Sequence, residues 1–508
     1  MKNKYIYFLI LVLIFIVIAI FCFWRWGVII TQPEIKTVIK SETHYSYFSQ
    51  KDFYEQAYTT AKPLASHLND VKGVLVNHHL LAGNFIAESF NNISTTAPIT
   101  VLLISPNHFS AGKGSIIVSN SKWKTPYGNL LPDSEFINSL VKEGLVSLEE
   151  DPYDQEHGIS GIVAFIKKSL PNAKVAPIII NDRLSISEAM SIASNIESRL
   201  PKNAMVVGSF DFSHYLTLPA ADFHDLESLS AVENFNFEAI PRLDIDSRSG
   251  LAIFLKILQI KGAGKFNLLE HNNSAVLAKD ESALETTSYF TGYFIKGKPK
   301  TDIANTLLSL GDIECSQKVK ESLIRTNQNF SVEYLERLFT GQAVTAARVL
   351  SGDEWCKGVL GKFGFNNLIE KNPDVNLGNL KIKYIHFSGT ENEAKEARQA
   401  ADAGAEVVIG DSKNIRLEIY KGKLIIYGQG DLLTDKTLEN GSISLGTGFC
   451  VHDSQLELYL LPIKIKDGKA KLLVSGDDVI VLKELAERSV TSLEIKSQIK
   501  KGKLILNK

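Results

Sequence analysis

Surplus positive charge is missing from this chain of 508 residues: 55 Lys and Arg stand against 57 Asp and Glu, for a formal net charge of −2. That balance leaves nothing to follow a phosphate backbone and argues against a nucleic-acid partner. Cysteine is scarce, with four in all. Cys22 falls in an apolar N-terminal run. Cys315, Cys356 and Cys450 match no zinc spacing and, being three, cannot all pair, so a disulfide is permitted but not required. Internal repeats and low-complexity tracts are absent, which excludes solenoids and linker-rich chains.

Tyr5–Trp24 lacks charge, Gly and Pro altogether. About 20 such residues at roughly 1.5 Å each match a bilayer core of about 30 Å. Lys2 and Lys4 precede the run, and Trp24 and Trp26 stand where an interfacial belt would lie. The expectation is a single-pass anchor with its N-terminus cytoplasmic and the bulk of the chain extracytoplasmic, although Arg25 pulls the other way. A cleaved signal peptide is the rival reading. The run exceeds the usual apolar core of such peptides and lacks a small-x-small site, and Phe21 spoils a lipoprotein box before Cys22.

What is present is a composition of 44% apolar and 22% charged residues, enough to bury cores, in a chain long enough for two domains. Residues 31–69 read as a stalk and lead-in, with helical periodicity around 49–67. Short β-branched runs at 74–76, 99–104, 175–180 and 204–207 alternate with helical stretches at 161–170 and 185–200. This is the βαβ rhythm of a mostly parallel sheet. Ser185 with Glu188 resembles a capping box, and Pro201 closes that helix. A last strand near 289–295 ends the first domain, and Lys296–Lys300 reads as a linker. A second α/β pattern fills 299–508, with strands at 308–312, 407–409 and 424–427 and a helix near 391–403.

Histidines follow the first domain's strands: Val-Asn-His-His at 76–79, Ser-Pro-Asn-His at 105–108, Glu-His at 156–157 and Ser-Phe-Asp-Phe-Ser-His at 209–214. Open α/β sheets place ligands outside the carboxyl ends of their strands. His78, His108 and His214 are therefore candidate ligands for a divalent transition metal, iron, copper or zinc. One histidine beside a strand is commonly a core or surface residue; three together point to a site. His79 is either a supporting group or exchanges roles with His78. Asp211 can orient an imidazole, act as a base or merely cap a turn. His157 is a candidate for moving protons, and Glu156 is a candidate partner that would equally suit a helix N-terminus. Asp133, after the turn Thr-Pro-Tyr-Gly at 125–128, reads as structural.

The ordered motifs Asn-His-His, Ser-Pro-Asn-His-Phe, Lys-Thr-Pro-Tyr-Gly-Asn-Leu, Glu-His-Gly-Ile and Ser-Phe-Asp-Phe-Ser-His-Tyr resemble the Memo-like family. Its bacterial branch is called AmmeMemoRadiSam system protein B. The resemblance covers about 70–295, including His271-Asn-Asn-Ser and Thr287-Ser-Tyr. It implies a fold related to class III extradiol dioxygenases and a metal at positions matching His78, His108 and His214. Where relatives of the animal protein have a Cys before Gly as a further ligand, this chain has Ser249 before Gly250, so the fourth ligand would be water, Glu270 or another group. Leu308-Ser-Leu-Gly-Asp312, Ile385-His-Phe-Ser-Gly389 and Ala403–Gly410 followed by 417–427 resemble the CapA family of capsule and poly-γ-glutamate synthesis proteins, with a calcineurin-like fold. The His-rich segment of that family is replaced here by Asp411-Ser-Lys-Asn414. Asp312 and His386 alone are too few for a two-metal centre. The C-terminal domain is thus expected to be an inert binding or packing module for an envelope glycan or protein. The leading expectation is a membrane-anchored metal protein doing redox or hydrolytic chemistry. The alternative is a non-catalytic surface scaffold, and a CapA-type polymer synthesis or phosphoesterase activity comes last.

Overall fold

The computed structural model describes residues 43–507, apart from 64–67, 69, 94–97, 281–282, 284, 302–304, 326–343, 352–353, 363–366, 370–372, 453–454, 467–468 and 475. The expected membrane span lies outside the described residues, among which no helix is long and apolar enough to cross a membrane.

Four strands form the parallel centre of the first domain: β1 (Gly73–Val76), β2 (Thr100–Pro106), β3 (Lys174–Ile180) and β4 (Met205–Ser209). They lie in the order β3-β2-β4-β1. Every residue of β1 and β2 is buried, as continuous apolar runs covered on both faces should be. β5 (Phe212–Leu216) returns at once after β4, and the sheet is completed by the antiparallel pair β6 (Lys265–Asn273) and β7 (Thr286–Ile295). The βαβ expectation therefore holds in the centre, with an antiparallel edge added.

Three helices support the histidine edge and the join to the second domain: α1 (Ile186–Glu197), α2 (Leu218–Asn234) and α3 (Arg248–Ile260). α1 carries the expected capping box between Ser185 and Glu188. Asp133 is structural as expected, accepting from the Phe136 amide at the start of the helix Ser134–Lys142. From Thr43 onward the expected stalk is part of this domain. Thr43–Tyr45 pairs in parallel with Lys122–Thr125, and Lys51–Thr60 buries Tyr54 in the same apolar cluster as Val74 and Val101. The physical reason is the helix's one apolar stripe, which stays exposed unless it meets the sheet.

Beyond the linker, β8 (Asn305–Glu314) is central in an eight-stranded sheet, pairing in parallel with Val344–Ser351 and antiparallel with β12 (Ser442–His452). A five-stranded sheet contains β9 (Leu380–Tyr384), β10 (Val407–Ile409) and β11 (Lys423–Ile426). Leu307 and Phe449 of the larger sheet pack with Ile382, Val407 and Leu424 of the smaller in one core. Strands and helix fall close to the expected positions.

The two domains also share apolar packing. Leu216, Ala220 and Phe223 of the first are buried in one cluster with Leu308, Leu310 and Tyr459 of the second. Cys315 is disulfide-bonded, and Cys450 is buried.

Candidate metal site

β1, β2 and β4 run in parallel and stop at the same edge, so the residues just after them meet. His78 follows β1 by two positions, His108 follows β2 by two, and Asp211 follows β4 by two. His157 arrives from a short helical turn, His157–Ser160. That turn comes close because Gly158 has no side chain: a Cβ there would stand 1.9 Å from Ser105 Oγ at the end of β2. The close approach stacks the His157 ring on His108, with centroids 4.0 Å apart, while His78 meets both rings edge-on. His78, His108 and His157 each offer one ligand atom, all within 4.8 Å of one another. This three-histidine group can hold a metal ion.

Hydrogen bonds behind the rings decide which nitrogen faces the site. The Ser209 hydroxyl donates to the Gly158 carbonyl at 2.7 Å, so its oxygen accepts from His78 Nδ1 at 3.2 Å. Glu156 Oε1 lies 2.6 Å from His108 Nδ1, and its other oxygen accepts from the His108 amide. With both Nδ1 atoms used as donors, Nε2 of His78 and of His108 present lone pairs. What they face is Asp246, whose Oδ2 lies 3.3 Å from His78 Nε2 and 3.9 Å from His108 Nε2. Asp246 Oδ2 accepts from the Asp211 amide at 2.8 Å. Asp246 Oδ1 is buried with no hydrogen-bond partner among the described residues.

Lone pairs and a carboxylate converging without a donor between them repel, and a cation or a proton is needed to offset that. The charge states reflect it. Burial, then the Asp211 charge, pushes Asp246 well above the usual carboxylate range. Burial pushes Asp211 up to about 7. Burial and the neighbouring imidazoles hold His78 well below its ordinary value, and His157 falls to about 4 for the same reasons. Neutral imidazole is the form that binds metal, so these residues fit such an ion.

Each sequence candidate now has a place. His78 is buried and faces the site, whereas His79 is exposed and turned away, its Nδ1 on the Tyr289 hydroxyl at 2.5 Å. That resolves the adjacent pair. His157, expected to move protons, stands among the ligand-capable imidazoles, and Glu156 orients His108 while capping the turn through the Gly158 amide. His214, expected as a ligand, stands outside the three-histidine group, near enough for its charge to lower the His78 pKa. Asp211 accepts from the His78 main-chain amide at 3.1 Å, and its other oxygen lies 3.5 Å from His78 Nε2.

The fourth-ligand expectation left water, Glu270 or another group open. Ser249 points away, its hydroxyl donating to the Leu184 carbonyl at 2.6 Å, and Glu270 is ion-paired with Lys62. Asp246, which sequence reasoning missed, stands beside two of the imidazoles instead. Its signal was the Asp-Ile-Asp-Ser run at 244–247, where Ser247 caps α3 and fixes the preceding aspartate at the sheet edge.

In the second domain His386 pairs with Asp411, and the Asp312 amide donates to the Gly430 carbonyl at 2.8 Å. Neither belongs to a ligand group of the kind found at the first edge, among the described residues.

A sequence profile described as "Memo-like protein" matches residues 49–292. A MEMO1 family protein of Methanothermobacter thermautotrophicus is 25% identical over 235 residues, covering 44% of this chain and 84% of that protein. Another, from Methanococcus vannielii, is 27% identical over 228 residues, covering 41% and 80%. Among solved structures, Vps29 of Chaetomium thermophilum (15% identity, TM-score 0.23, 33% of this chain and 94% of that one) and the uncharacterized protein JW3007 of Escherichia coli (11% identity, TM-score 0.31, 45% and 100%) are similar at scores too low to carry an argument. Residues 49–292 of this chain thus match the Memo-like family and resemble the MEMO1 family proteins.

Proposed function

We propose that the first domain binds one divalent transition metal between His78 Nε2, His108 Nε2 and Asp246, and uses it for redox or hydrolytic chemistry on a small substrate. The observation that carries this reading is the buried Asp246 carboxylate, with Oδ2 facing two imidazole lone pairs and Oδ1 without a hydrogen-bond partner among the described residues. Two histidines and one carboxylate suit iron(II) best, with zinc and copper as competitors. The metal would supply Lewis acidity or an electron at the edge of the sheet.

The chain's own groups do the rest. Ser209 and Glu156 fix the tautomers of the two histidines, a duty that commonly accounts for 10- to 100-fold in metal affinity. Asp211 holds the His78 segment through its amide. His157 and His214 stand around the donors as the groups able to pass a proton. The C-terminal domain is a packing module here, joined to the first through Leu216 and Phe223.

An outward-facing, membrane-anchored placement is part of the same proposal. The charge-free run Tyr5–Trp24 would be the anchor, and the disulfide at Cys315 supports an oxidising compartment.

The test is elemental analysis of chain purified after separate iron, zinc and copper supplementation, beside H78A, H108A and D246A. About one metal per wild-type chain, lost in each variant, is expected. Wild-type chain without metal after all three would overturn the reading.

A further inference from the structure

His214 sits between two residues with left-handed backbone, Ser213 at φ +30° and Tyr215 at φ +57°. Neither is the glycine that such angles favour, and residues held there persist only where their surroundings over-determine them. The surroundings are specific. The Ser213 amide donates to the Asp244 carbonyl at 2.8 Å, and the His214 amide to Asp244 Oδ2 at 3.2 Å. From the other side, the Ser213 hydroxyl donates to Asp225 Oδ1 at 2.6 Å. Asp225 is wholly buried, and its second oxygen accepts from His271 Nε2 at 2.8 Å.

Asp225 projects from α2, the helix that joins the domains. Pro219, Phe223 and Glu227 are spaced four apart and so form one stripe, which meets the C-terminal domain. Phe223 fits over Gly448, where a Cβ would stand 2.6 Å from its ring, and tilts against Tyr459 at 5.5 Å. Glu227 accepts from the Thr306 hydroxyl at 2.5 Å. Asp225, two residues past Phe223, is about 200° round the helix and so faces back to the histidine turn. The strand that carries His214 also ends in the shared core, at Leu216.

We propose that Asp225 is a positioning residue which clamps the Ser213–Tyr215 turn and so fixes where His214 sits at the sheet edge, and that the C-terminal domain sets the position of Asp225 through α2. The proposal rests on the metal reading only for what His214 is positioned toward. Without the clamp, the turn relaxes toward right-handed backbone angles and His214 leaves the site.

The experiment uses the full chain and two readouts: cobalt(II) bound per chain, and the rate at which diethyl pyrocarbonate modifies His214, followed by peptide mass, with the exposed His386 as internal reference. S213A removes the hydroxyl while keeping a side chain that is strained at positive φ. D225A removes the acceptor, D225N keeps one, and T306V cuts the interdomain hydrogen bond. Wild type and D225N should modify His214 slowly and alike. S213A and D225A should raise that rate about tenfold, the worth of one hydrogen bond to a charged group, with cobalt stoichiometry unchanged. T306V should raise it a few-fold.

Wild-type rates in S213A would overturn the clamp, and S213A decides the matter if D225A fails to fold. An unchanged rate in T306V would overturn the interdomain half. Absence of cobalt from wild type would count against the metal reading alone, since the His214 rates still decide the positioning.

Discussion

The two domains each place histidine and aspartate at the carboxyl ends of parallel strands, yet only one of these edges is prepared for a ligand. In the first domain the partners lie behind the imidazoles, Ser209 behind His78 and Glu156 behind His108, so acceptors point forward and meet at Asp246. In the second, the same types of residue are used up on one another. His386 pairs with Asp411, Asp411 also accepts from the Phe387 amide, and Asp431 is bridged by Lys413 at 3.1 Å. The difference lies in the balance of donors and acceptors. A strand edge becomes a cation site where buried acceptors outnumber donors, and an inert edge is one where they match.

The sharpest way to break this comparison is to remove a ligand from each side. D246A or H108A should weaken metal binding by more than about 100-fold, since losing a ligand exceeds the 10- to 100-fold cost of losing a supporting group. H386A and D411A should leave metal content unchanged. Equilibrium dialysis with iron(II) or zinc on all four variants checks both halves at once. E156Q comes next in size. It keeps the shape but weakens the charge-assisted hydrogen bond to His108, and a loss of about tenfold or more in affinity is expected. A wild-type affinity would mean that Glu156 is only a helix cap.

These residues also show how far sequence carries. His78, His108 and Asp211 were legible because a parallel strand has a fixed end, and whatever follows it by two positions lands at the edge; His157 opens a helical turn instead and was legible only as part of its Glu-His motif. His78 could not be told from His79, since adjacent residues share a backbone path and differ only in the direction that tertiary packing imposes. Asp246 was invisible for another reason. It precedes a helix, not a strand, and α3 reaches the site only through packing that includes close contacts with α1. Ser249 looked like the replaced ligand because it stands before Gly250, but one turn of α3 carries its hydroxyl to Leu184 instead. The β-branched runs located nearly all of the central sheet. The antiparallel edge of β5, β6 and β7 was less legible, because its strands mix polar and apolar residues.

A smaller effect tests the join between the two regions through pH. Asp222 on α2 is raised to about 6, first by burial, then lowered by Lys503 and raised again by Asp225, with His271 and Glu457 also facing it. His271 is raised above its ordinary value by its bond and ion pair with Asp225, against the opposing effect of burial. For Asp222, a folded pKa above the unfolded one means that its contribution is fully present below about pH 4 and is lost as pH rises to about 6. For His271, the contribution is fully present below about pH 6.5 and is lost as pH climbs through the folded value. Both slopes have the same sign, so the join is tightest under mild acid. Thermal unfolding scans should show D222N flattening the part of the stability profile between pH 4 and 6, and H271Q flattening the part above, each by a few degrees or less because both groups are partly open to solvent. Profiles that stay parallel to wild type would place these titrations outside the folding equilibrium, and the join would then be held by Phe223, Leu216 and their apolar neighbours alone.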